Sequence, residues 1–339
     1  MITVLVTGAG GGVGQGIIKS LKLIKDLEIK IVAADMSNLA AGIYAGDVSR
    51  IVPSASSDDY LKRLGVVFCE ESIDYYFAGT DVELLFCANN KAYIEQEYGV
   101  KVVVSPLSAI AISDDKHKTA EFLKQHDFYY PQTWLPSEVD VDSLEFPVIV
   151  KPAVGCRSIG VGISRDKAQL MQRLDNEEGL VIQELVGTDA DEYTCTIVVI
   201  NGVASDVVIL NRTLRAGDTF RAEPVDNSVI SEYVTKVALA MDIHGSCNFQ
   251  LRLDKEGIPK IFEVNCRFSG TTPFCAQLGF NPVEYYIKKT QGLEYSGAIN
   301  FDAMVLRHWQ EVVVSKSQMA ELAQAGRLDP RVLKNAALF

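Results

Sequence analysis

Three oxygen-bearing side chains late in the chain carry the sharpest chemical signal. In Ile261-Phe262-Glu263-Val264-Asn265, strand alternation puts Glu263 and Asn265 on one face with Ile261, and Phe262 and Val264 on the other. The neighbouring segment Asn248-Phe249-Gln250-Leu251-Arg252 supplies Gln250. Hard oxygen donors on adjacent strands suit Mg2+, which bridges nucleotide phosphates; Mn2+ is the alternative ion. Arg267, two residues beyond Asn265, is placed to neutralise a phosphoryl group in flight. A polar rim on a half-exposed strand would present the same residues, so the reading needs support from elsewhere.

That support lies upstream. Lys151 ends the apolar strand Phe146-Pro147-Val148-Ile149-Val150, where a buried ammonium is costly unless it meets a charge. Lys116 opens a helix in Ser113-Asp114-Asp115-Lys116-His117-Lys118, with Lys118 as the competing cation and a solvated helix residue as the plain alternative. Gly155-Cys156-Arg157-Ser158-Ile159-Gly160-Val161-Gly162 follows Lys151 closely. Its backbone donors and its serine suit closure over phosphates, although a simple hairpin turn would look alike. Gln183-Glu184-Leu185-Val186 ends a strand and offers backbone groups to an adenine edge, and Glu192 offers a carboxylate to ribose. Arg212 and Arg215, on a strand end and the loop after it, are expected to bind an acceptor carboxylate or phosphate, since paired guanidiniums suit planar oxyanions. Surface charge is the bland reading of that pair.

The N-terminus carries a rival motif. Thr7-Gly8-Ala9-Gly10-Gly11-Gly12-Val13-Gly14 follows a strand and opens a helix, and Asp35 ends the next strand, where a dinucleotide fold reads ribose. An NAD(P)-dependent oxidoreductase would look like this, and Tyr285 and Lys289 have the spacing of a Tyr-xxx-Lys pair. They lie far from the first sheet in sequence, and a tight turn in a Rossmann-like unit explains the glycines without a cofactor.

The elements that must position these residues read as follows. Short apolar strands at Ile2–Thr7, Ile29–Ala34, Ile73–Ala78 and Val100–Ser105 alternate with helical segments such as Asp58–Glu71 and Asp81–Tyr98, the pattern of a parallel doubly wound sheet. A helix over Ser113–Gln125, a strand stopped by Pro152, a helix over Arg165–Glu177 and the strand Leu180–Leu185 make a small α+β unit. Glu192–Ile200 and Val203–Leu210 join through Asn201-Gly202, a strong hairpin signal. A helix near Ser228–Met241 precedes strands Cys247–Leu253 and Lys260–Asn265; helices and a late strand, Asp302–Val314, complete the chain.

Composition sets limits. The 339 residues allow two or three compact units, and 48% apolar with 22% charged residues is an ordinary globular balance. A net charge of −12 argues against nucleic acid, whose phosphates need a basic face. No stretch nears a membrane span and no leader precedes the first strand, so a cytoplasmic protein without a membrane partner is expected. The seven cysteines form no CxxC or even framework and read as reduced, mostly buried thiols, while the four scattered histidines make zinc improbable.

In this order and spacing, Asp115-Lys116, the Phe-Pro-Val-Ile-Val-Lys-Pro strand, the glycine turn, Gln-Glu-Leu-Val followed by Glu-Tyr-Thr, and Glu-Val-Asn-Cys-Arg-Phe-Ser-Gly are specific. Over about residues 1 to 310 the chain resembles the ATP-grasp superfamily, and most nearly stand-alone relatives of the carbamoyl phosphate synthase large subunit. The resemblance implies a Rossmann-like domain at 1–112, a lid subdomain with its preceding helix and linker at 113–187, an antiparallel core with the metal site at 188–310, and a tail helix at 311–339. It implies that Lys116 and Lys151 contact ATP phosphates, that Ser158 and Gly160 belong to a mobile phosphate loop, and that Gln183, Glu184, Leu185 and Val186 line the adenine. Glu192 would bind ribose; Gln250, Glu263 and Asn265 would hold one or two Mg2+; Arg267 would stabilise an acyl phosphate. The family's usual Asn-Pro-Arg is Asn265-Cys266-Arg267 here, and Gln250 stands where many members have an acid. The implied activity is ATP-dependent ligation of a small carboxylate to an amine, in a protein whose default assembly is a homodimer; formation of a carbamoyl- or carboxyphosphate is the alternative. The glycine loop would then border the acceptor pocket.

Overall fold

The computed structural model describes residues 1–155 and 159–329. Its first unit runs β1 (Ile2–Val6), α1 (Gly12–Lys22), β2 (Ile29–Asp35), β3 (Val48–Ile51), α2 (Tyr60–Glu71), β4 (Tyr75–Phe77), α3 (Val82–Tyr98) and β5 (Lys101–Val103). The strands lie in the order β3-β2-β1-β4-β5, all parallel. Val4, Leu5 and Val6 are fully buried because helices cover both faces, which is why β1 reads as a continuous apolar run. Strand order reverses between β1 and β4, and in such sheets ligands sit outside the carboxyl ends at that switch point. The glycine loop and the Thr80–Asp81 turn both emerge there.

Two helices follow, α4 (Leu107–Ser113) and α5 (Lys116–Gln125), where the sequence reads one. Asp115 divides them: its carboxylate caps α5 by accepting from the N–H groups of His117 at 2.8 Å and Lys118 at 3.3 Å. The lid contains β6 (Thr133–Trp134), β7 (Val148–Pro152), β8 (Gly162–Ser164), α6 (Lys167–Asn176) and β9 (Leu180–Glu184), with sheet order β6-β9-β7-β8. Val148, Val150, Leu170, Leu180 and Ile182 give it a small core of its own.

The larger sheet is built from β10 (Glu192–Ile200), β11 (Val203–Ala204), β12 (Val208–Arg215), β13 (Asp218–Pro224), α7 (Ser228–Ala240), β14 (Gly245–Leu253), β15 (Pro259–Asn265), α8 (Thr272–Gln277), α9 (Pro282–Thr290) and β16 (Val305–Leu306). Its antiparallel order is β15-β14-β10-β12-β13-β16, with β11 beside β10. The late strand is far shorter than the expected Asp302–Val314: its neighbour β13 begins at Asp218 beside a tight turn, so Trp309 and Val313 find no partner and stay exposed. The tail is more than a helix. After α10 (Lys316–Ala325), β17 (Arg327–Leu328) returns to pair antiparallel with β3, and Arg327 meets the buried Glu71 carboxylate at 2.7 Å.

The N-terminal glycines make loops touch. A methyl group on Gly79 would lie 2.0 Å from the Thr7 carbonyl oxygen, and one on Gly14 2.3 Å from that of Gly8. The Asp35 carboxylate accepts from the N–H of Gly10 at 2.8 Å and of Ser37 at 3.1 Å, so the group expected to read a ribose is turned into its own loop. Tyr285 packs on Phe280 and Tyr295, and Lys289 pairs with Glu294, both remote in role from that loop. Gly79→Ala is expected to destabilise the fold by about 1–3 kcal/mol, the usual cost of overpacking. A urea midpoint equal to that of the unmodified protein would refute this close-packing role.

Candidate active site

Between lid and core lies a cleft of about 880 Å³, counted to its open mouth. Of the residues singled out in the sequence, Lys116, Lys151, Gln183, Glu184, Val186, Glu192, Arg212, Gln250 and Glu263 line it. β7 and β9 deliver Lys151 and Gln183 side by side: the ammonium donates to Gln183 Oε1 at 2.8 Å and to the Phe262 carbonyl at 3.4 Å, and lies 5.2 Å above the Phe262 ring. Burial pushes the Lys151 ammonium down to about 8; Glu263 opposes that shift, and Lys116 and Arg252 add to it. Lys116 donates to the Gly155 carbonyl at 3.0 Å from the first turn of α5 and lines the cleft, whereas Lys118 on the same turn is exposed.

Alternation fails at one point of β15, and the failure shapes the site. Gln250 pairs with Glu263 and Leu251 with Ile261, so Phe262 is the extra residue of a β-bulge. Ile261 therefore joins Val264 and Cys266 in the core, against the expectation that it shares a face with Glu263, while Phe262 and Glu263 both face the cleft. Cys266 does point off the ligand face: it is buried, with its thiol 3.6 Å from the Ala109 carbonyl. All six described cysteines are free thiols and five are buried.

The polar side chains form one continuous chain. Arg212 Nη2 donates to Gln250 Oε1 at 2.8 Å, and Gln250 Nε2 lies 3.5 Å from Glu263 Oε1. Asn265 Nδ2 donates to the same Glu263 oxygen at 3.0 Å, and Arg267 Nη2 donates to Asn265 Oδ1 at 2.8 Å. Among the described residues, no three His, Cys, Asp or Glu side chains form a metal cage. One carboxylate with two amides instead fits an ion held largely by nucleotide phosphates, provided each amide turns its oxygen toward Glu263. A guanidinium holds each amide oxygen, Arg212 that of Gln250 and Arg267 that of Asn265, so either amide must release an arginine before its oxygen can face an ion.

Other expected residues stand differently. Glu192 is held by two guanidiniums, Arg212 at 2.8 Å and Arg252 at 2.8 Å. The expected pairing of Arg212 with Arg215 does not form: Arg212 turns into the cleft, while Arg215 is exposed at the end of β12, 5.2 Å over the Phe220 ring. The reason is a hairpin turn at Ala216 and Gly217, both at positive φ, which carries Arg215 to the tip. Leu185 is not among the residues lining the cleft, unlike Glu184 and Val186 on either side of it; Gly160 gives its carbonyl to Arg173 at 2.6 Å, and Ser158 lies outside the described residues. Arg252 was legible as the residue two beyond Gln250 on the same strand face. The Lys260–Glu184 pair at 3.0 Å and the bond of Arg267 to Asp81 left no local signal in the sequence.

This architecture is that of an ATP-grasp fold, and comparisons agree. Residues 175–312 match a family described as "ATP-grasp in the biosynthetic pathway with Ter operon", and residues 4–103 match "PylC-like, N-terminal domain". Two separate stretches of the chain are thus similar to an ATP-grasp family and to a PylC-like N-terminal family. Among curated relatives, the carbamoyl phosphate synthase large chain of Methanosarcina acetivorans is 25% identical over 217 residues, covering 56% of this chain and 19% of that protein. That of Clostridium botulinum is 26% identical over 210 residues, with 56% and 19% covered. The chain spans about a fifth of the length of these relatives. Among solved structures, N5-carboxyaminoimidazole synthetase from Staphylococcus aureus, complexed with ADP, has a TM-score of 0.70 at 16% identity, covering 88% of this chain and 80% of that one. The biotin carboxylase domain of the Hydrogenobacter thermophilus 2-oxoglutarate carboxylase, with MgADP and bicarbonate, has a TM-score of 0.67 at 18% identity over 89% and 73%. L-amino acid ligase from Bacillus licheniformis has a TM-score of 0.65 at 16% identity over 85% and 73%.

Proposed function

We propose that this protein is an ATP-dependent ligase that phosphorylates a small carboxylate and passes the acyl group to an amine. The observation that supports the reading is a cleft in which two buried lysines face Gln250 and Glu263, from which a hydrogen-bonded string runs on beyond the cleft lining through Asn265 to Arg267. Mg2+, or Mn2+ in its place, held by Glu263 with the amide oxygens of Asn265 and Gln250, would neutralise the nucleotide phosphates. Lys151 and Lys116 bind phosphate oxygens from the lid side, which restores the charge that burial disfavours on Lys151. Backbone groups of Glu184 and Val186 flank the base, and Glu192, oriented by Arg212 and Arg252, meets the ribose. Arg267 offers its fork to the charge that develops on the phosphoryl group and then on the acyl phosphate, where such preorganised donors act most strongly. The attacking amine displaces phosphate, with no covalent enzyme intermediate required.

A small carboxylate and an amine are thus the partners, and a homodimer is the proposed assembly. No helix among the described residues is long and apolar enough to cross a membrane. ADP release should appear with one or more members of a panel of amino acids and small acids combined with amines, and hydroxylamine should trap a hydroxamate. Bicarbonate in the same panel tests the carboxyphosphate alternative suggested by the carbamoyl phosphate synthase relatives. MgATP turnover with no member of the panel, and no hydroxamate, would defeat the reading.

A further inference from the structure

Arg267 is fixed on three sides. Besides Asn265 it donates through Nη1 to the Phe268 carbonyl at 3.1 Å, and its Nε and Nη2 meet the two oxygens of Asp81, Nη2 at 3.0 Å. Asp81 comes from the N-terminal unit, 186 residues earlier, and presents its carboxylate side-on to the guanidinium, as a bound carboxylate would. It stands at the N-cap of α3, where aspartate ordinarily accepts a helix N–H, yet its side chain makes no capping bond. The two partners are unequal: the Arg267 side chain is 11% exposed and that of Asp81 44%, so the carboxylate is the member free to swing out.

The turn that carries Asp81 is held without it. Thr80 Oγ1 donates to Glu83 Oε2 at 2.8 Å, and the buried Glu83 carboxylate also accepts from the hydroxyls of Tyr60 and Tyr76. Gly8 and Gly79 wedge the same turn onto the glycine loop, since a methyl on Gly8 would lie 2.4 Å from Thr80 Cγ2. The loop that resembles a dinucleotide cradle thereby sets where Asp81 meets Arg267.

We propose that Asp81 stands in for the acceptor's oxyanion on Arg267, so that an acceptor carboxylate, or phosphate, binds by exchanging with it at the switch point of the first sheet. Asp81 is a gating residue for that slot and lies outside the nucleotide cleft. The proposal rests on the ligase reading and gives the acceptor a place and a competitor.

The test measures binding of inorganic phosphate, with MgADP present, to the full chain and to Asp81→Asn and Asp81→Ser. A partly exposed ion pair contributes up to about 1 kcal/mol, so removing the competitor is expected to tighten phosphate about fivefold. The gain should vanish when Arg267→Gln is added, and MgADP affinity should stay the same in Asp81→Asn and Asp81→Ser. Equal or weaker phosphate binding by both folded variants overturns the proposal, as does a gain that survives Arg267→Gln. Failure of every variant and the parent to bind MgADP would instead strike the ligase reading, which separates the two failures.

Discussion

Glu263→Ala is expected to abolish ATP turnover, with a loss of at least about 100-fold in kcat, the scale of removing a preorganised electrostatic group. Glu263 is the carboxylate of the donor set, and both amides converge on its Oε1. Its removal would take the charge that holds the ion and release Gln250 and Asn265, breaking the chain from Arg212 to Arg267. Asn265→Ala should cost less, because Arg267 keeps Phe268 as a partner, and Gln250→Ala least, because Arg212 remains bound to Glu192. Glu263→Gln separates the two roles of the carboxylate. An amide can hold the shape of the network but cannot anchor a cation as well, so this variant should fall nearly as far as alanine. Steady-state ADP release, with the Mg2+ dependence of nucleotide affinity beside it, gives the answer. More than roughly a few percent of activity in Glu263→Ala would remove the metal assignment.

The reliability of the sequence as a guide to this site follows from what each residue depends on. Glu192–Ile200 was readable because its β-branched run Ile197–Ile200 leads straight into Asn201 and Gly202, whose positive φ is what a two-residue hairpin demands. The bulge at Phe262 was not readable, since it arises from the pairing of β15 with β14 and leaves no mark on composition. It moved Ile261 into the core and Phe262 under Lys151. The hairpin at Ala216-Gly217 was missed for a related reason: β12 and β13 are polar at their tips, so nothing apolar announced the second strand. The same turn is what parts Arg215 from Arg212. Residues whose own strand places them, Lys151 and Glu263 above all, could be expected to share a cleft, and both line it. Those that depend on a partner distant in sequence, such as Asp81 on Arg267 or Arg327 on Glu71, were found only in three dimensions.

Lys151→Met should remove nucleotide binding while leaving the fold as stable as before, or more so, at neutral pH. The Lys151 ammonium falls from an ordinary 10.5 to about 8 because burial disfavours its charge. Below about pH 8 the group is protonated in both folded and unfolded chains, and the folded state carries the whole penalty, roughly 3 kcal/mol on the usual scale of about 1.4 kcal/mol per unit. Between about 8 and 10.5 the unfolded chain binds more protons than the folded one, so stability rises with pH and the penalty fades. Methionine keeps the length of the chain without the charge. It also leaves Gln183 Oε1 short of its 2.8 Å partner, which costs about 1–3 kcal/mol and offsets much of the gain. The firm expectation is therefore the slope: urea denaturation should show the unmodified protein gaining on the variant between pH 8 and 10.5, and identical pH profiles would dismiss the buried charge. Phosphates that pair with Lys151 should draw its proton back, so MgADP binding above pH 8 should take up a proton, visible by calorimetry in two buffers of different ionisation heat. The lysine is thus costly to the free fold for the same reason that it is useful to the nucleotide: a charge held out of water binds its counter-charge strongly.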